Sequence, residues 1–306
     1  MSIRAVKNTK QAIPTLEGAG VKLHRAFGFN DTSDTDPFLL FDDFRNDNRA
    51  DYEAGFPWHP HRGIETITYV LAGQANHQDS LGNSGTLGAG DVQWMTAGSG
   101  IMHQEMPKGD KDGRMHGFQL WANLPSSLKM TTPRYQDIES KEIPEITDDD
   151  GTIARVIIGD FWGKQGPVDG IAAKPQYLDI SVPAGVRKTI KIDAYSNVFA
   201  YIFEGEGAFV DASRPVGILT EKELDGEEIQ IRDMSGNRTL IYFDTGDEIV
   251  VQAGENGVRF LLISGKPLKE PVAWHGPIVM NTREELVQAV NELKRGTFIR
   301  HGGSKL

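Results

Sequence analysis

The stretch Phe56–Val70, "FPWHPHRGIETITYV", decides how the chain is read. Its second half has the composition of a β-strand, and at its entrance His59 and His61 stand one residue apart. Side chains i and i+2 of a strand leave on the same face, so the two imidazoles project together. Neutral imidazole is a common ligand of first-row metals, which makes the pair a candidate half-site. Glu65 has the same strand parity as His61 and is expected on the inward face as well.

A second pair stands further on. The block "GDVQWMTAGSGIMHQEMP", residues 90–107, ends with His103 and Glu105, again i and i+2 on an expected strand. If the two strands meet inside one barrel, three imidazoles and one carboxylate converge. Such a set carries one formal negative charge and suits Fe(II), Mn(II), Co(II) or Ni(II), with positions left open for water, substrate or dioxygen. The chain has no cysteine, so thiolate ligands and disulfides are excluded and nitrogen and oxygen must hold any metal.

The surroundings of these pairs recur. Tyr69, Gly73 and Asp79 return at one constant offset as Tyr201, Gly205 and Asp211, and "GDVQWMTAG" (90–98) returns as "GDEIVVQAG" (246–254). The second copy carries an insertion around "SRPVGILTEKELDGEEIQ" (213–230). Both copies read as short alternating strands separated by glycine turns, which predicts two small β-barrels or jelly rolls. The expected division is a metal-binding barrel over 1–132, a connecting segment over 133–170, and a second barrel over 171–306. In the second copy Lys191, Asp193, Arg259 and Leu261 occupy the positions of the four candidate ligands. One metal per chain, in the first barrel, is therefore expected. The stretch "NTREELVQAVNELKRG" (281–296) predicts one amphipathic helix. Thr282 and Glu285 form a capping box, Leu286, Val290 and Leu293 share a face, and Gly296 sits at the end.

Net charge is −11, from 32 basic and 43 acidic residues, without a Lys/Arg-rich run; direct nucleic-acid binding is not expected. Neither an apolar leader nor a membrane-spanning run is visible, so a soluble cytoplasmic protein is expected, with no membrane partner.

Five stretches, "DPFLLFDDFR", "HPHRGIET", "GDVQWMTAGSGIMHQEMP", "HGFQLWANLP" and "HGPIVMNTREE", lie between residues 36 and 285 and together resemble the pirin family of the cupin superfamily. The resemblance implies an all-β bicupin, two antiparallel β-barrels (jelly rolls) packed together, with a short C-terminal helix. It implies iron(II), with Mn, Co, Ni or Zn as alternatives, held by His59, His61, His103 and Glu105. Other cupins use the glutamate of the first motif, here Glu65; in the pirin pattern it is a candidate for orienting a histidine. His116 is a second such candidate, while His24, His77, His275 and His301 are expected to be structural or exposed. Some pirins have quercetin 2,3-dioxygenase activity, in which a flavonol and O2 give carbon monoxide and a depside. By that likeness Glu105 accepts the proton of the flavonol 3-hydroxyl, and Phe56, Trp58, Met102 and Met106 are candidates for an apolar mouth. Pirins also resemble non-enzymatic iron- and redox-dependent regulators that bind a transcription factor or a metabolic enzyme. The ligand set alone equally permits a cupin isomerase or decarboxylase.

Overall fold

The structure, a computed structural model, describes residues 2–169, 172–209, 222–224, 227–229 and 234–300. Asp211, His301 and most of the 213–230 insertion lie outside the described residues.

Antiparallel strands dominate, gathered into two compact units. One unit comprises Ala12–Ile143, Gly166–Lys174 and Lys266–Leu306; the other comprises Met1–Gln11, Pro144–Gln165 and Pro175–Gly265. The division 1–132, 133–170 and 171–306 runs straight along the chain, whereas the units exchange their ends. The reason is the need to pair edges and cover apolar faces. The strand Val6–Gln11 supplies backbone partners to Thr239–Phe243. The helix Arg283–Lys294 belongs to the histidine-bearing unit, where Leu286, Ala289 and Leu293 pack with Ile278, Met280 and Phe298. Its start is capped as the sequence predicts. The Glu285 amide donates to Thr282 Oγ1 at 3.2 Å, and the Thr282 amide donates to Glu285 Oε2 at 2.9 Å.

The histidine-bearing unit is built on two larger sheets and also carries the short pair Ala273–His275 and Ile278–Met280. A seven-stranded sheet runs Arg134–Ile138, Val92–Thr96, Ile64–Ala72, His116–Asn123, Phe38–Asp43, Val21–Phe27, Ile13–Glu17. A four-stranded sheet runs Phe56–His61, Ile101–Lys108, Gln74–Asp79, Ser84–Leu87. Both orders are open at their ends, so the unit is a jelly-roll sandwich rather than a closed barrel. The other unit is built on one eight-stranded antiparallel sheet around an apolar core that includes Val156, Leu178, Ile202, Phe260 and Leu262. The sequence repeat has a structural cause. Tyr69 and Tyr201 are both fully buried, and Gly73 and Gly205 both adopt left-handed backbone, with φ of 78° and 66°. Among the described residues no helix is long and apolar enough to cross a membrane.

Candidate metal site

His59 and His61 end the strand Phe56–His61, and its neighbour Ile101–Lys108 carries His103 directly opposite His59. Cross-strand partners share a face, so all three imidazoles meet between the sheets. His59 Nε2 lies 3.0 Å from His61 Nε2 and 2.9 Å from His103 Nε2. Nitrogens held about 2.1 Å from one centre at right angles lie about 3.0 Å apart. The two distances from His59 thus match neighbouring ligands of one ion, and the ligand nitrogens of all three residues lie within 4.8 Å of one another. The His59 Nδ1–H donates to the Pro57 carbonyl at 2.9 Å, which leaves the Nε2 lone pair free to face its two neighbours.

Electrostatics agree with that role. Burial holds His61 and His103 well below the ordinary imidazole pKa, and His59 adds to this by repelling a second positive charge. Burial also lowers His59. Neutral rings are the ligand form, and converging lone pairs are relieved by a shared cation. The three residues fit a metal.

Glu105 stands beside the trio. A register shift between His103 and Glu105 separates them along the strand, and Glu105 Oε2 lies 4.0 Å from His103 Nε2. Its Oε1 is 3.3 Å from the Thr68 hydroxyl, which donates to Gln119 Oε1 at 2.7 Å. Burial pushes its carboxyl up to about 7, against the pull of the Thr68 contact.

Glu65 is elsewhere. Its expected inward parity assumed one continuous strand, but Gly63 interrupts the run with φ of 77°. A Cβ there would fall 1.9 Å from the Val279 carbonyl oxygen, so the kink requires glycine. Lys129 pins the same kink, its Nζ donating to the carbonyls of Gly63 and Val279 at 2.9 and 3.0 Å and to Asn123 Oδ1 at 2.6 Å. Beyond Gly63 the pleat has turned over. Thr68 faces the histidines, and Glu65, three residues away, lies on the opposite face, accepting from Thr96 Oγ1 at 2.7 Å. It does not orient a histidine. Burial raises its pKa to about 7, above the 4.5 of an ordinary glutamate. Between these values the folded state binds the extra proton, so its contribution is fully present below pH 4.5 and is lost as pH rises through about 7. Glu65→Gln should therefore flatten that decline and raise stability at pH 8 by roughly 1–3 kcal/mol. Thermal unfolding from pH 4.5 to 8 checks this; an unchanged pH profile counts against it.

His116 also leaves the site, its Nε2–H donating to Asp47 Oδ1 at 2.6 Å near the surface. His77 is buried against Tyr135, opposite Glu105 in the strand register.

A cavity of about 670 Å³ opens from the trio, with His59, His61 and Glu105 in its wall. Of the four apolar candidates only Phe56 lines it; Trp58, Met102 and Met106 do not. Its aromatic wall comes instead from Phe29, Phe44, Tyr52, Trp121 and Trp274. Trp121 stands edge-on to His61 at 5.1 Å, and Trp274 lies 6.1 Å from Trp121 and 5.4 Å from Phe29. Phe29 and Trp274 are distant in sequence from every ligand; the signature stretch beginning at His275 was the nearest pointer.

Comparison with known proteins agrees with this architecture. Residues 20–122 match the Pirin family model, and residues 177–299 match that of the Pirin C-terminal cupin domain. A pirin-like protein of Caulobacter vibrioides is 41% identical over 97% of this chain and its own full length. A Pseudomonas aeruginosa protein provisionally named a quercetin 2,3-dioxygenase is 41% identical over 93% of this chain and 94% of its own. The crystal structure of a quercetin 2,3-dioxygenase from Acinetobacter baumannii superposes with a TM-score of 0.82 at 30% identity, over 97% of this chain and 99% of that one.

Proposed function

Because this chain belongs to the pirin family, we propose that it is an iron-dependent dioxygenase of flavonols, of the quercetin 2,3-dioxygenase type. The observation that carries the proposal is the convergence of three imidazoles, two of them in the wall of an aromatic-lined cavity, beside a carboxyl group raised to about 7. The names of the Pseudomonas and Acinetobacter proteins support it.

His59, His61 and His103 would hold the iron. When bound, the iron supplies Lewis acidity toward the substrate's oxygen atoms and a one-electron couple for reaction with O2. Glu105 receives the proton of the flavonol 3-hydroxyl; a base with a pKa near the working pH is best matched to that task. Once protonated, Glu105 is neutral and can donate to the Thr68 hydroxyl oxygen 3.3 Å away, whose own proton goes to Gln119. Trp121, Trp274 and Phe29 offer ring faces to a flat substrate and keep bulk water from the reacting end.

The test is an aerobic assay of iron-loaded protein with several flavonols. The expected result is one carbon monoxide released for each flavonol and O2 consumed. Absence of carbon monoxide from every flavonol, with iron fully bound, refutes the proposal.

A further inference from the structure

The cavity has a polar floor. Across the seven-stranded sheet, Arg25 stands opposite Asp42, Asp42 opposite Gln119, Gln119 opposite Thr68, and Thr68 opposite Gln93. Directly paired residues share a face, so these five form one transverse row, one residue per strand. Arg25, Asp42, Gln119 and Thr68 line the cavity. The next row on that face, toward the histidines, holds Leu40, Trp121, Thr66 and Met95, so the polar row is a strip within a largely apolar wall.

Hydrogen bonds fix what the strip offers. Arg25 grips Asp42 with two bonds, Nε to Oδ1 at 2.8 Å and Nη2 to Oδ2 at 2.7 Å, and its Nη2 also meets Glu17 at 2.8 Å. The Asp42 carboxylate is thereby oriented at 5% exposure, with lone pairs remaining on both oxygens, while burial pushes its pKa up to about 6 against the pull of Arg25. Gln119 Oε1 accepts from Thr68, which fixes the amide, and its NH2 group, a double donor, belongs to a residue that lines the cavity. A fixed acceptor and a fixed donor thus sit one strand spacing apart, about 4.8 Å. On the far side, Thr68 reaches Glu105 beside the metal trio.

We propose that Asp42 and Gln119 are specificity-determining residues that recognise ring hydroxyl groups of the substrate remote from its metal-binding end. Asp42 accepts from a phenolic hydroxyl, and the Gln119 amide donates to a neighbouring phenolic or carbonyl oxygen. The substrate class is then a planar polyhydroxylated aromatic rather than any flat chelating ring. A site built around a hydroxyl strongly disfavours analogues that lack it, because its own buried polar groups go unpaired. The inference rests on the flavonol reading and adds to it the residues that choose among flavonols.

The experiment is binding without turnover. Quenching of tryptophan fluorescence is followed under anaerobic conditions, in metal-loaded protein, with quercetin and with 3-hydroxyflavone, which lacks the ring hydroxyls. Wild type should prefer quercetin by about 10-fold or more. In Gln119→Leu and Asp42→Asn the preference should shrink by about 10-fold while 3-hydroxyflavone affinity stays within about threefold. A merely structural role would weaken both ligands together. Equal affinities in wild type, equal loss for both ligands in Gln119→Leu, or no binding of either overturns the inference. Because no O2 is present, selective binding without carbon monoxide in the aerobic assay would sink the dioxygenase reading alone.

Discussion

Alanine in place of His61 is expected to strip the metal from the protein while leaving both units folded. His61 is 2% exposed, places its Nε2 3.0 Å from that of His59, and stands edge-on to Trp121. Removing it leaves two imidazoles and a carboxyl group that sits 4.0 Å from His103. Loss of a residue that only orients a ligand commonly costs 10–100-fold in metal affinity, so loss of a ligand should cost more than about 100-fold. Metal content per chain after gel filtration should fall to near zero, and carbon monoxide release with it. Circular dichroism should be unchanged, since the strand pairing of Phe56–His61 with Ile101–Lys108 is carried by the backbone. A His61→Ala protein that keeps its metal through gel filtration would show that the trio is not the site.

The residue after His61 should have the larger effect on stability. Arg62 is 1% exposed and wholly engaged. Its Nε donates to the Ser99 carbonyl at 2.7 Å, one terminal nitrogen to Glu292 at 2.7 Å, and the other to the Phe298 carbonyl at 2.9 Å, with the guanidinium over the Phe298 ring. Its backbone carbonyl accepts from the Val279 amide at 3.0 Å. One side chain therefore joins the His61 strand, the turn before the His103 strand, and the C-terminal helix. Removing the guanidinium leaves the Ser99 and Phe298 carbonyls without it and Glu292 with Arg300 alone, and breaking a buried ion pair from one side costs about 3–5 kcal/mol. Arg62→Met should destabilise the protein by about that amount in denaturant unfolding. It should also speed metal loss to a chelator, since His61 loses the anchor next to it. Unfolding at the wild-type denaturant midpoint would contradict both expectations.

The histidine trio and the two-unit β architecture were legible in the sequence because both are local. Strand parity sets the i, i+2 pairs, and the turn glycines repeat where the backbone needs left-handed φ, as at Gly73 and Gly205. The helix cap at Thr282 is equally local. Glu65 was misplaced because parity holds only along an unbroken strand, and the kink at Gly63 is set by a carbonyl more than two hundred residues away, that of Val279. The exchange of the chain's ends between the units was invisible for a similar reason. Val6–Gln11 and Thr239–Phe243 carry no mutual signal in a single sequence. The polar floor of the cavity shares that fate, with each member on a different strand and no common spacing.

The central claim is a metal bound by three imidazoles in one unit of the chain. X-ray absorption at the iron edge, on protein loaded with iron and freed of excess by gel filtration, tests it most directly. The expected spectrum contains the outer-shell scattering of three imidazoles, with one iron per chain by elemental analysis. Two irons per chain, none, or an iron surrounded by fewer than three imidazoles would contradict it.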